Sequence, residues 1–424
     1  MLKYQNKFQG KPEVRIHIMA KATGAICNLN CSYCYYLSKE SLLTTTSKWR
    51  MSDEVLEEYI KQYIEAQNTP KIIFSWQGGE PTLLGVDFFK KVVELQKKYT
   101  PSYSHCENDL QTNGTLLDDE WCVFLKENNF LVGLSIDGPQ EIHDTYRVTK
   151  EGKGTFKQVM HAASLLKKHK VPFATLSCIN ATTAKHPQKI YRFLRDEVGS
   201  TQMQFIPIVE PKKFRDTAPQ FWSDDNMPLQ GSDAARPGTP SSVVEEWCVD
   251  PEEYGDFLIG VFDQWRKKDV GRIHIPFFDS AAQQWLGGSS PLCIFSPTCG
   301  KGLAIEHDGN VYSCDHYVYP QYNLGNITQY NLKDLAFSQN QVTFGTDKAN
   351  TLPTQCQKCP VLFACEGECP KNRFIKTPQG ERGLNYLCTG LKKYFFHIDP
   401  HIKKILRTQG LRPKVNIRLP QREI

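Results

Sequence analysis

Three cysteines, Cys27, Cys31 and Cys34, stand in the run Cys-Asn-Leu-Asn-Cys-Ser-Tyr-Cys. This C-x3-C-x2-C spacing offers three thiolates rather than four. Structural zinc takes four closed ligands, commonly from C-x2-C pairs. A ferredoxin-type four-iron cluster is likewise held by four cysteines. Three protein ligands on such a cluster leave one iron open to bind and reduce another molecule. A pure electron carrier gains nothing from a vacant iron, so the run points to redox chemistry on something bound there.

A second set of thiols lies between Leu292 and Gly390: Cys293, Cys299, Cys314, Cys356, Cys359, Cys365, Cys369 and Cys388. Cys299 to Cys314 reads C-x9-G-x4-C, with Gly309 inside it, and Cys356 to Cys369 reads C-x2-C-x5-C-x3-C. Two four-ligand sites would use all eight, and structural zinc is the competing occupant. Asp315 and His316 follow Cys314 directly, which holds a carboxylate beside a candidate electron acceptor. Cys106, Cys122, Cys178 and Cys248 stand alone and read as core thiols.

The elements that must carry these residues alternate. Strands are expected at Val14–Met19, Lys71–Trp76, His105–Gln111, Phe130–Ile136, Phe173–Asn180 and Gln202–Val209. Between them, Ser52 caps a helix running to about Ala66, and further helices are expected at Val86–Tyr99, Asp118–Asn128, Gly154–His169 and Pro187–Val198. Repeated β–α alternation predicts an α/β fold with a parallel sheet, either an open doubly wound sheet or a barrel. Residues 211–247 are rich in Pro, Asp, Ser and Gly and read as a loop insertion. A helix resumes at Pro251–Lys268, with Pro251 suited to its first turn. The stretch 292–390 has few long periodic elements, as expected of a small fold organised by metal. The predicted organisation is therefore a domain over 1–250, a helical connection over 251–291, a metal-organised domain over 292–390 and a helical tail over 391–424.

With 51 Lys and Arg against 46 Asp and Glu, the 424-residue chain has a formal net charge of +5 and no polybasic run, so no nucleic-acid partner is expected. There is no run of about 18 apolar residues and therefore no expected membrane partner. The polar segment Met1–Lys11 lacks an apolar signal core. Fifteen cysteines without such a signal predict metal ligation in a reducing, cytoplasmic compartment.

The C-x3-C-x2-C run, with Tyr33 before its third cysteine, resembles the radical S-adenosylmethionine (SAM) superfamily. The resemblance implies a partial (β/α)6 TIM-like barrel and SAM chelated at the open iron. Further residues resemble that family's cofactor contacts. Gly78-Gly79-Glu80-Pro81 after the second strand looks like the segment that meets the methionine amino group, where glycine lets backbone approach closely. Ser135, in Leu-Ser-Ile-Asp-Gly-Pro, looks like another contact. Arg147 suits the SAM carboxylate, and Ile208 suits the adenine. The eight later cysteines resemble the SPASM domain, which implies two auxiliary 4Fe–4S clusters and three clusters in all. The implied pairing is interleaved: Cys293, Cys299, Cys314 and Cys369 on the nearer cluster, and Cys356, Cys359, Cys365 and Cys388 on the outer one.

Cys314-Asp315-His316, together with the runs Trp76–Leu83, Gln111–Gly114 and Leu384–Cys388, resembles the anaerobic sulfatase-maturating enzymes. This likeness implies oxidation of a sulfatase cysteine or serine to Cα-formylglycine. A 5′-deoxyadenosyl radical would take a hydrogen atom from Cβ, Asp315 would take a proton, and an auxiliary cluster would take an electron. A carboxylate with pKa near about 3.9 does not deprotonate a resting thiol near about 8.5. The adjacent radical makes that proton more acidic. Tyr36 and Gln77 resemble positions that seat the substrate, an unfolded or nascent sulfatase polypeptide. A flavodoxin- or ferredoxin-type protein is the implied reductant. The competing reading is another SPASM peptide maturase that forms thioether or carbon–carbon crosslinks.

Overall fold

The computed structural model describes residues 15–42, 49–212, 227–415 and 417. In chain order the main elements are β1 (His17–Lys21), α1 (Asp53–Glu65), β2 (Lys71–Trp76), α2 (Val86–Tyr99), β3 (His105–Thr112), α3 (Asp119–Glu127), β4 (Leu131–Ser135), α4 (Phe156–Lys168), β5 (Phe173–Ile179), α5 (Pro187–Phe193) and β6 (Met203–Pro207). They continue with α6 (Pro251–Lys268), α7 (Pro276–Trp285), β7 (Gly302–Glu306), β8 (Asn310–Tyr312), β9 (Asn323–Asn326), α8 (Gln339–Asn350) and α9 (Cys388–Thr408). The six-fold β–α alternation is present as expected. Val14, the expected start of the first strand, lies outside the described residues. The strand also runs further than expected, because Ala20 pairs with Trp76 and Lys21 with Glu306.

The chain divides into two compact units. The first comprises residues 1–136, 143–174 and 300–345. In it β1, β2, β3 and β4 pair successively in parallel, and β7 pairs in parallel with the other edge of β1. β8 and β9 then extend the sheet as antiparallel strands. Parallel pairing brings the carboxyl ends of β1 to β4 to one edge, the edge at which open α/β sheets place their ligands. Local chemistry starts the helices that separate the strands. The Ser52 side chain accepts from the Val55 N–H at the head of α1, and Asp118 accepts from Trp121 at the head of α3. Their apolar faces meet the sheet through rings such as Tyr59, Phe74, Trp76 and Phe89, in mostly edge-on contacts.

The second unit comprises residues 137–142, 175–299 and 346–424. Here β5 and β6 pair in parallel, with Thr175 opposite Met203. Residues 213–226 of the expected insertion lie outside the described residues; the rest of it is irregular, tied back by the Pro211–Val244 bridge. α6 and α9 approach backbone to backbone. A Cβ on Gly390 would lie 1.8 Å from the Pro251 carbonyl, and one on Gly255 would lie 2.6 Å from the Gly390 Cα. This contact fixes the start of α9, whose first residue is Cys388. α9 is a 21-residue helix that begins before the expected helical tail, at Cys388. Leu391, Tyr394, Phe395, Ile398, Ile402 and Leu406 recur along its buried face at the helical period. Among the described residues, no helix is long and apolar enough to cross a membrane.

Candidate active site

The loop after β1 carries Cys27, Cys31 and Cys34, all partly buried, and the Cys34 N–H bonds the Cys31 carbonyl at 3.0 Å. The Leu29 N–H and the Asn113 amide point at the Cys27 sulfur, at 3.4 and 3.8 Å. Burial pushes the Cys27 thiol up to about 11; the Leu29 N–H works against that, while Glu80 and Cys34 add to it. Converging thiolates in such a place need a cationic partner, and three sulfurs with N–H donors around them suit an iron–sulfur cluster.

β2 delivers the Gly-Gly-Glu-Pro turn against this loop. The Gln77, Gly79 and Glu80 N–H groups bond the carbonyls of Ala20, Gly24 and Ile26 at 2.9, 2.8 and 2.9 Å. A Cβ on Gly79 would sit 1.8 Å from the Ile26 carbonyl oxygen. Gly78 adopts φ of +131°, which L side chains rarely adopt. What demands glycine at these positions is the backbone leading into Cys27. Glu80 is buried, and its carboxylate accepts from the Thr82 N–H and hydroxyl at 3.0 and 2.6 Å, the Thr112 hydroxyl at 2.7 Å and the Asn113 N–H at 2.7 Å. Burial raises the Glu80 carboxyl despite those four donors. Glu80 thus couples the end of β3 to the cysteine loop, because Asn113 in turn bonds Asn28 at 2.9 Å.

The other expected cofactor residues fall as follows. Ser135 ends β4 and accepts from the Gln111 amide at 2.8 Å. Tyr33 packs on Tyr146 at 5.7 Å between ring centroids, and the Arg147 guanidinium lies 5.6 Å from the Tyr33 ring. The neighbouring backbone ties this segment to the cysteine loop through the Asn30 N–H and Val148 carbonyl, at 2.9 Å. Ile208 belongs to the second unit, where it is buried just after β6 and its N–H bonds the Ile179 carbonyl at 2.8 Å.

Asp315 is buried and doubly held. Lys21, at the end of β1, forms an ion pair with one carboxylate oxygen, and the Tyr35 hydroxyl donates to the other. Burial opposes its ionisation, but Lys21, His316 and the Tyr35 hydrogen bond together hold the carboxyl below its usual range. Burial first, then Asp315 itself, push the Tyr35 phenol well up, so Tyr35 stays a donor. His316 packs its ring 5.0 Å from that of Tyr35. Tyr36 is almost fully enclosed beside Ala25, Ala304, Tyr312 and Val318. Its hydroxyl donates to Glu306, and its ring lies 4.4 Å from the Lys21 ammonium. Gln77 is partly buried directly after β2. Lys21, Tyr35 and Glu306 are additions to the residues expected from sequence. A lysine ending an apolar strand was the one available signal for Lys21.

Cys314 belongs to the first unit, while the second unit brings Cys356, Cys359, Cys365 and Cys388 together and places Cys369 beside Cys293. Burial, then Cys388, Glu368, Cys356 and Cys359, push Cys365 well up. Burial with Cys356 and Cys359 takes Cys388 to about 12. Cys369 instead neighbours Cys293, and both are raised by burial. Asp263, His397 and His401 bring ligand-type atoms within 4.8 Å of one another, but Arg266 already binds the carboxylate at 2.7 Å, so this group is an ion-pair network between α6 and α9.

The radical SAM superfamily pattern matches residues 22–194, and the SPASM iron–sulfur cluster-binding domain matches residues 293–360. A serine-type anaerobic sulfatase-maturating enzyme of Bacteroides thetaiotaomicron is 45% identical over 397 residues, spanning 93% of this chain and 92% of the relative. A cysteine-type anaerobic sulfatase-maturating enzyme of Clostridium perfringens is 34% identical over 394 residues, 91% of this chain and 97% of the relative. Among solved structures, native anSMEcpe with bound AdoMet and Cp18Cys peptide superposes with a TM-score of 0.79 at 33% identity, over 93% of this chain and 100% of that one.

Proposed function

Since the chain belongs to the anaerobic sulfatase-maturating enzymes of the radical SAM superfamily, we propose that it oxidises a serine or cysteine of a sulfatase polypeptide to Cα-formylglycine, with Asp315 as the proton acceptor. The observation that carries this reading is the buried Asp315 carboxylate, fixed between Lys21 and Tyr35. Tyr35 follows Cys34 and Asp315 follows Cys314, so one hydrogen bond joins the residues next to these two cysteines.

Cys27, Cys31 and Cys34 would hold the open cluster, with Tyr33, Gly78, Gly79, Glu80, Ser135, Arg147 and Ile208 around SAM. Bound there, cluster and SAM would supply hydrogen-atom abstraction from the substrate Cβ. The two-electron oxidation then has one proton and one electron left to place. Asp315 takes the proton: Lys21 and Tyr35 aim its carboxylate and keep it from rotating away. Cys293, Cys299, Cys314 and Cys369 would hold the nearer auxiliary cluster, which would supply an electron acceptor, and Cys356, Cys359, Cys365 and Cys388 would hold the outer one. Gln77, on the loop that docks against the cysteine segment, seats the substrate peptide, with Tyr36 supporting it from the core. A flavodoxin- or ferredoxin-type protein supplies the first electron.

The likeness to a serine-type relative makes serine the first substrate to try. The deciding experiment is anaerobic incubation with SAM, dithionite and peptides carrying Ser-x-Pro-x-Arg or Cys-x-Pro-x-Arg, read by mass spectrometry. Aldehyde formed in step with 5′-deoxyadenosine supports the proposal. Cleavage of SAM without aldehyde from either peptide would remove it.

A further inference from the structure

Cys293, Cys299 and Cys369 share a buried cation that the reaction above leaves unused. Lys348, on α8, is 1% exposed. Its Nζ donates to the carbonyls of Cys293, Ile294 and Ser296 at 2.7, 2.8 and 2.5 Å. A neutral amine has two N–H groups, so three acceptors at these distances select the ammonium form. All three acceptors are uncharged, and none cancels the charge. The other ionic groups nearby are Arg373, Glu368, Glu366 and Lys371, the last paired with Glu210 at 2.8 Å. Arg373 donates to the carbonyls of Lys348, Gly367, Glu366 and Glu368, at 2.5 to 3.3 Å. Glu368 accepts from Asn372 at 3.0 Å and from Asn385 at 2.6 Å. Lys348 and Arg373 therefore act on Glu366, and Lys348 acts on Glu368 as well. The Lys348 charge acts on Cys299 and Cys369, and on Cys293 as well.

Reduction of a cluster adds one negative charge. A fixed ammonium in a low-dielectric interior stabilises the reduced form and raises the potential. We infer that Lys348 is the potential-setting residue for the auxiliary iron–sulfur cluster that Cys293, Cys299 and Cys369 help to hold, fitting that cluster to accept the electron the substrate radical gives up. This rests on the cluster assignment under Proposed function.

The test is an anaerobic potentiometric titration of the fully loaded enzyme, followed by electron paramagnetic resonance with and without SAM, which perturbs only the cluster with the open iron. Iron is counted first. Roughly twelve irons per chain are expected from three cubane clusters, and about four in the parent enzyme would remove the cluster assignment itself. In Lys348→Gln, which keeps N–H donors but loses the charge, one auxiliary wave shifts to more negative potential while the others stay. Lys348→Met shifts the same wave, and Lys348→Arg leaves it near the parent value. Superimposable waves in Lys348→Gln at full iron content would overturn the inference. So would an equal shift in Lys348→Arg, or a selective loss of about four irons in Lys348→Gln, because Lys348 would then hold the loop rather than tune the cluster.

Discussion

The Tyr35 hydroxyl donates a hydrogen bond to the Asp315 carboxylate across 280 residues of sequence. Lys21 binds the other oxygen of the same carboxylate. The acid assigned to proton transfer is thus held by the residue after Cys34 and by the last residue of β1.

Replacing Asp315 by Asn keeps the shape of the side chain and removes the base. SAM cleavage, which precedes proton loss, is expected to continue, while aldehyde yield per 5′-deoxyadenosine falls by about a hundred-fold or more, the scale of general-base catalysis. Quantifying both products in one reaction checks this; parent-level aldehyde from Asp315→Asn would take the role from Asp315.

Tyr35→Phe and Lys21→Met separate aim from basicity. A hydrogen bond to a charged group is worth about 1.5–3 kcal/mol, so Tyr35→Phe should lower aldehyde yield by about ten-fold or more if that energy is expressed in the rate. Lys21→Met leaves a buried carboxylate without its counter-charge, and breaking such a pair costs about 3–5 kcal/mol. It should therefore lose stability as well as activity. Comparing urea midpoints with product ratios tells the two effects apart.

Gly79→Ala tests the docking of the Gly-Gly-Glu-Pro turn. The added Cβ would meet the Ile26 carbonyl oxygen at 1.8 Å, and the obstacle is backbone rather than a flexible side chain. The loop bearing Cys27 has to move. The expected result is loss of about four irons, one cubane, together with loss of 5′-deoxyadenosine formation. Full iron content with normal SAM cleavage would contradict this account of the turn.

The C-x3-C-x2-C run and the C-x2-C-x5-C-x3-C run were legible because their thiols recur at short, local spacings, whereas the grouping of Cys369 with Cys293 has no local signature. The six β–α pairs were legible because each buries an apolar stripe or run long enough to read. β8 and β9, of three and four residues, are too short for periodicity to register, and β7 joins the sheet through the sequence-distant β1. Lys21 and Tyr35 escaped for a related reason: their partner Asp315 is remote in sequence, and a tyrosine after a cysteine carries no local signal. The close approach of Gly79 to the Ile26 carbonyl was not legible, because the two residues are brought together only by the docking of separate loops.

Asp109 gives the chain a pH dependence outside the candidate cluster cysteines. It lies on β3 and accepts from the Ser75 hydroxyl at 2.7 Å. Burial lifts its carboxyl to about 6, with Ser75 pulling the other way. A carboxyl whose folded pKa exceeds its unfolded value favours the folded state only while it is protonated. Its stabilising contribution is complete below the unfolded pKa of about 3.9 and is lost as pH rises through about 6. By linkage the loss is at most about 3 kcal/mol, and less to the extent that solvent still reaches the partly accessible side chain. Asp109→Asn cannot ionise and still offers an acceptor to Ser75. Its urea midpoint should exceed that of the parent at pH 7 to 8, and the gap should close as pH falls through about 6 toward 4. A gap independent of pH would mean that Asp109 destabilises the fold through packing rather than through its charge.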